Sequence, residues 1–191
     1  FFDADLAEKV IDEYGHAKAF LGANVLPHIP DLKSVFEGVD KLLTKDGVFI
    51  TEDPYLLDMF DKTSYDQIYD EHIFILSLTA MSNLCRDFDL EVFDVKPLKT
   101  NGGSMRYYMG RKGQHKITST LKEYEAIEEK RNLFEESTYE KFYNDCEKSK
   151  SDLRDILFKL KKEGKLVAGY GATSKSTTIF NYCDIGPDLI Q

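Results

Sequence analysis

Cysteine is scarce in this 191-residue chain, and the three residues present, Cys85, Cys146 and Cys183, stand far apart. They form no C-x-x-C pair, which excludes the usual zinc and dithiol spacings, so no metal site is expected. An odd number of scattered thiols reads as reduced, buried cysteines in a cytoplasmic protein. No apolar run approaches the ~18 to 20 residues that a membrane span requires. The opening Phe1-Phe2-Asp3-Ala4 lacks the basic region and small-residue cleavage site of a signal peptide. Without an initiator methionine, the chain is expected to be a piece of a longer protein. Basic residues are outnumbered, 25 Lys and Arg against 34 Asp and Glu, and the net charge of -9 with no basic stripe works against a nucleic-acid partner.

What is present is ordinary for a folded chain: 42% hydrophobic and 31% charged residues, at a length of one to one and a half domains. Asp3 to Tyr14 has helical periodicity, with Leu6, Val10 and Ile11 on one face and Gly15 as its stop. Ala17 to Ala23 reads as a buried strand, followed by a loop with Pro27 and Pro30. Asp31 caps a helix running to about Leu43, ended by Lys45-Asp46-Gly47, and Val48 to Thr51 is the next strand. Strand, helix and strand form a βαβ unit with parallel pairing, and ligands of such sheets sit beyond the carboxyl ends of the strands. Those ends are Asn24 to His28 and Glu52 to Tyr55.

Further along, Ser77 caps a helix through roughly Asp87. Leu90 to Leu98 and Ser104 to Arg111 are two strands whose short connection demands an antiparallel pair. The expected fold is α/β: the far half of a class I methyltransferase (Rossmann-like) sheet ending in an antiparallel hairpin, over residues 1–112. Residues 113–163 form a charged helical connector whose acidic and basic runs are expected to be solvated faces. Residues 164–191 begin a second Rossmann-like domain, with a strand at Leu166-Val167-Ala168, a turn at Gly169 to Ala172 and a helix from Thr173 to Cys183.

Chemistry concentrates in Tyr65-Asp66-Gln67-Ile68-Tyr69-Asp70-Glu71-His72. Tyr65 and Tyr69 are four apart and Tyr69 and His72 three apart, so a helical turn projects all three to one side. His72, with an ordinary pKa of about 6.5, suits a general base near neutrality, and Glu71 beside it can orient a partner. The alternative is a surface turn with solvated acids and a histidine in a half-buried slot. His28 is either a packing residue or a second active-site imidazole. Gly102-Gly103 is either hairpin chemistry or a close approach to a ligand, with Arg106 meeting an anion. Gly169-Tyr170-Gly171-Ala172-Thr173-Ser174-Lys175-Ser176 lies between strand and helix. It lacks the Walker A pattern and a third glycine, so it is an anion loop or a plain tight turn.

Taken together, Asn24-Val25-Leu26-Pro27-His28-Ile29-Pro30-Asp31, Glu52-Asp53-Pro54-Tyr55, the Tyr65 to His72 block, Asn101-Gly102-Gly103-Ser104-Met105-Arg106-Tyr107 and the Gly169 to Ser176 loop resemble the sugar C-methyltransferases. The resemblance implies S-adenosylmethionine as methyl donor and a nucleotide-linked 4-keto-deoxysugar as substrate. It implies His72 as base, Tyr69 as donor to the substrate oxygen, Glu71 and His28 in supporting roles, and Asn24 beside the methyl donor. It also implies sugar-nucleotide contacts from Tyr65, Asn101, Gly102, Gly103, Arg106, Gly169, Tyr170, Gly171, Ser174 and Lys175. Family members carry an upstream zinc module and a glycine-rich cofactor loop that this stretch does not contain. The family has His-Gly-Gly at the hairpin where this chain has Asn101-Gly102-Gly103, so a proton-shuttling role there is not expected. Two other readings stand beside this one: an O- or N-methyltransferase of another small molecule, or a non-catalytic nucleotide-sugar-binding piece. No membrane or nucleic-acid partner is implied, and oligomeric state is open.

Overall fold

A computed structural model of the chain describes residues 2–191. Two compact units emerge, one from Phe1–Asp58 with Ile73–Asn132, the other from Met59–His72 with Leu133–Gln191.

The first unit is built on a four-stranded sheet in the order β1-β2-β4-β3, from β1 (Ala17–Ala23), β2 (Leu43–Pro54), β3 (Leu90–Leu98) and β4 (Ser104–Arg111). β1 and β2 run parallel, while β2 with β4 and β3 with β4 are antiparallel. This is the expected sheet, a parallel pair leading into a hairpin. Helix α1 (Ala4–Tyr14) starts where Asp3 accepts the Leu6 N–H at 2.8 Å and stops at Gly15, whose φ of 81° suits glycine. Its fully buried residue is Ala7, whereas Leu6, expected inside, is 41% exposed.

Helix α2 (Leu32–Leu42) begins with the Asp31 carboxylate on the Ser34 N–H at 3.0 Å and buries Val35, Phe36 and Val39. The strand after it is longer than the expected Val48 to Thr51. Ala17 pairs with Leu43 and Ala19 with Val48, so the turn-forming Thr44 to Gly47 is absorbed as a bulge inside β2. On β2 and β4 the alternation of a half-covered sheet is clear: Phe49, Thr51, Asp53, Met105, Tyr107 and Met109 are buried on one face. Ile50, Glu52, Arg106 and Tyr108 take the other.

Helix α4 (Leu78–Arg86) is capped by Ser77, as expected, through a 3.0 Å bond to the Ala80 N–H. The expected solvation of the acidic runs fails at one residue. Glu128, on α5 (Ser119–Lys130), is 2% exposed and accepts the Leu78 N–H at 2.6 Å, the Thr79 N–H at 2.7 Å, the Thr79 hydroxyl at 2.6 Å and the Tyr55 hydroxyl at 2.8 Å. A carboxylate seated on the first N–H groups of α4 faces the positive end of that helix and is fully hydrogen-bonded, which permits its burial.

The short helix α3 (Leu56–Asp61) follows β2, and the second unit is helical. Its core gathers Tyr65, Cys146, Leu157, Cys183, Ile185 and Leu189, with Phe142 and Ile179 against them. Helix α6 (Glu136–Lys162) has 27 residues, and the run expected as one connector is thus divided, α5 in the first unit and α6 in the second. Helix α7 (Ser174–Tyr182) has a reciprocal cap between Thr173 and Ser176. The strand expected at Leu166-Val167-Ala168 does not form. Gln191 donates to the Val167 carbonyl at 3.0 Å and accepts from the Gly169 N–H at 2.8 Å, and a single bridging residue is too little for a ladder. Cys85, Cys146 and Cys183 are free and buried, as read from their spacing. No helix among the described residues is long and apolar enough to cross a membrane.

Candidate active site

Residues Tyr65–Gln67 form one 3-10 turn, after which Ile68 is extended and the chain turns again, with the His72 N–H donating to the Tyr69 carbonyl at 2.9 Å. That second turn sets the Tyr69 hydroxyl 2.8 Å from His72 Nε2, with ring centroids 4.1 Å apart. His72 Nδ1 lies 2.8 Å from the Gln67 carbonyl oxygen. A carbonyl only accepts, so the Nδ1 proton is the donor there and neutral His72 presents the lone pair of Nε2 to Tyr69. The imidazole is therefore fixed in one tautomer with its basic nitrogen turned to the phenol. Burial, and then the charge of Glu71, push the Tyr69 pKa up, so the phenol keeps its proton at neutral pH. Glu71 itself is exposed.

Tyr65, expected to share that side, is instead buried, its hydroxyl 3.4 Å from Cys183 Sγ. The reason is backbone conformation: the chain leaves helical geometry at Ile68, so the four-residue spacing of Tyr65 and Tyr69 no longer puts them on one face. Gly169, Tyr170, Gly171 and Ser174 are exposed around the start of α7, Gly171 with a φ of 104°, and Lys175 Nζ lies 4.0 Å from Asp66.

In the first unit, the carboxyl ends of β1 and β2 carry a second group. Asn24 takes a left-handed φ of 53°, and its Oδ1 accepts from Asn101 Nδ2 at 3.3 Å. Asn101, at φ 52°, precedes Gly102 and Gly103, whose φ of 134° only glycine adopts readily. A Cβ on Gly103 would collide with the Asp58 side chain, so this glycine is needed for a close approach within the fold. Arg106 pairs with Glu52, Nη2 to Oε2 at 2.8 Å and Nε to the same oxygen at 3.1 Å. Half-buried His28 ends the 3-10 turn Leu26–His28.

Sequence reasoning passed over the residue that holds this loop. Asp53 is fully buried, accepts the Val25 N–H at 3.2 Å and takes the Thr51 hydroxyl at 2.5 Å. Desolvation raises its pKa to about 6, against the lowering effect of those bonds, the Leu26 N–H and nearby His28. An acid on the inward-facing positions of β2 was the available signal, because a buried carboxylate needs dedicated donors. Asn24 and His28 thus ride on a loop pinned by Asp53, while Tyr69 and His72 belong to the other unit.

Residues 99–191 match the family described as C-methyltransferase C-terminal domain. Over all 191 residues the chain is 31% identical to the C-methyltransferase NovU of Streptomyces niveus, and it spans 46% of that protein's length. A SAM-dependent methyltransferase from Anabaena variabilis ATCC 29413, known from a crystal structure, is similar over 58% of this chain and 56% of its own, at 14% identity and a TM-score of 0.44. The C-methyltransferase C-terminal match takes in Asn101 to Arg106 and the Gly169 to Lys175 loop. Tyr69 and His72 lie outside that match and within the similarity to NovU, which takes in the whole chain.

Proposed function

We propose that the full-length protein methylates a carbon of a nucleotide-linked 4-keto-deoxysugar, with S-adenosylmethionine as methyl donor. The observation that carries this reading is the His72 ring, held by the Gln67 carbonyl at Nδ1 so that its neutral form has Nε2 as the basic atom, with Tyr69 as that atom's partner. A base of this kind matches the need of a carbon acid. The C–H bond beside the carbonyl breaks, its proton goes to His72 Nε2, and its electron pair moves onto the carbonyl oxygen as an enolate. Tyr69, kept protonated by its surroundings, turns its O–H from Nε2 to the enolate oxygen, so one hydrogen bond first holds the base and then stabilises the new charge. S-adenosylmethionine, when bound, would supply an electrophilic methyl carbon to that enolate carbon, its sulfur keeping the electrons of the S–CH3 bond.

Asn24, exposed and steadied by Asn101, has the donors and acceptor to hold the methyl donor, and His28 contributes from the same loop. The start of α7, with no acid in its own sequence and with Lys175 shared with Asp66 at 4.0 Å, supports a phosphate-bearing substrate. The test is solvent deuterium exchange into a nucleotide-linked 4-keto-sugar, incubated with the full-length protein without methyl donor. Exchange at the carbon next to the carbonyl, abolished in His72→Asn, is the expected result. Methyl transfer to oxygen or nitrogen without exchange would replace this reading with the O- or N-methylating one, and neither exchange nor transfer would leave a binding module.

A further inference from the structure

The second unit contains a cavity of about 340 Å³ walled by Tyr65 and Ile68, by Phe142, Tyr143 and Cys146 of α6, and by Thr178 and Tyr182 of α7. Four of these seven side chains are aromatic rings. The Tyr65 and Tyr182 rings stand 5.0 Å apart, and their hydroxyls are engaged elsewhere, with Cys183 at 3.4 Å and Glu147 at 2.5 Å. The rings are therefore fixed in place and present flat apolar walls. Tyr143 is 60% and Ile68 53% exposed, an open apolar rim that a flat ligand would cover.

One polar group reaches this wall in a defined state. The Thr178 hydroxyl donates to the Ile68 carbonyl at 3.2 Å, shared with the Ser174 carbonyl at 3.3 Å, so its oxygen lone pairs are left to accept an N–H. The stretch of sequence around the start of α7 is free of acids, although Asp66 lies 4.0 Å from Lys175. In a chain of net charge -9, no Asp or Glu occurs between Glu163 and Asp184, and the start of α7 at Ser174 lies one turn, about 6 Å at ~1.5 Å rise per residue, before Thr178. Lys175 stands in that first turn, near Asp66. Ile68, a wall residue, directly precedes Tyr69 in the chain, and the cavity and the Tyr69–His72 pair belong to the same unit.

We propose that this cavity is the subsite for the base of the nucleoside diphosphate to which the sugar is joined. It rests on the nucleotide-sugar reading above and adds where the non-reacting end of the substrate is gripped. Aromatic walls with one acceptor suit a planar ring bearing an N–H, and binding energy gathered there holds the reacting sugar in position.

Binding is measured by calorimetry and saturation-transfer NMR with thymidine 5′-diphosphate, uridine 5′-diphosphate and, as the base-free control, inorganic pyrophosphate. The expected result is saturation of the base protons and binding of both nucleotides at least tenfold tighter than pyrophosphate. Tyr143→Ala, at an exposed rim position, is expected to weaken nucleotide binding on the order of tenfold and to leave pyrophosphate unchanged. Ile68→Gln serves as the second variant should the first disturb the fold by circular dichroism. Equal affinity for pyrophosphate, an indifferent Tyr143→Ala, or absent base saturation would each overturn the subsite, the last pointing to a protein segment as occupant. The two readings fail separately. Deuterium exchange with an unchanged sugar KM in Tyr143→Ala removes the base pocket and keeps C-methylation, whereas base binding without exchange does the reverse.

Discussion

The Asp53 carboxylate accepts the Val25 N–H at 3.2 Å, so an acid inside the sheet holds the loop that bears Asn24 and His28. Its raised pKa of about 6 fixes how stability depends on pH. Because the folded value lies above the unfolded one near 3.8, this group's contribution is complete below about pH 4 and is lost as pH rises through about 6. The shift corresponds to roughly 3 kcal/mol at most. Urea unfolding of the wild-type chain and of Asp53→Asn at pH 4 and pH 7 is expected to show the wild type losing ground to the variant across that interval. Parallel pH profiles would place the titration elsewhere.

Glu128 makes a second prediction. Removing its side chain in Glu128→Ala leaves the Tyr55 hydroxyl, the Thr79 hydroxyl and two N–H groups of α4 without their acceptor. The expected loss is about 2 to 5 kcal/mol in urea denaturation. Glu128→Gln, which keeps one carbonyl oxygen, is expected to lose less than the alanine variant. A loss under about 0.5 kcal/mol, typical of surface positions, would show that the carboxylate is solvated after all.

The tautomer of His72 can be read directly. With Nδ1 donating to Gln67, 15N spectra of the histidine-labelled chain above pH 8 are expected to show the proton of His72 on Nδ1. In Tyr69→Phe the Nε2 resonance should move as its hydrogen-bond donor disappears. A proton on Nε2 in the wild type would make Nε2 the donor to Tyr69 and leave no hydrogen bond between Nδ1 and the Gln67 carbonyl.

Kinetics of the full-length protein test the chemistry. His72→Asn is expected to lower turnover by about 10² to 10⁴ while leaving affinity for the methyl donor nearly intact. Unchanged turnover would take His72 out of the role of base.

Lys175→Ala, at the start of α7, is expected to raise KM for the sugar nucleotide more than KM for the methyl donor. Equal effects on both would indicate a folding defect instead.

Local signals in the sequence settled much of this protein. Asp3, Asp31, Ser77 and Thr173 mark helix starts because their side chains satisfy N–H groups a few residues away. The short Lys99 to Gly103 connection imposed an antiparallel hairpin, and the spacing of Tyr69 and His72 anticipated a meeting that one turn of chain produces. Tertiary structure decided what depends on residues distant in sequence. Glu128 reads as one more solvated acid until α4, 50 residues earlier, brings N–H groups to it. Asp53 is one acid in a strand until the β1 loop, 28 residues earlier, folds over it. Leu166 to Ala168 has strand composition but lacks the neighbouring strand that a ladder requires. Caps and turns are satisfied within a few residues, so sequence determines them, whereas burial of a charge and pairing of a strand need partners that only the folded chain supplies.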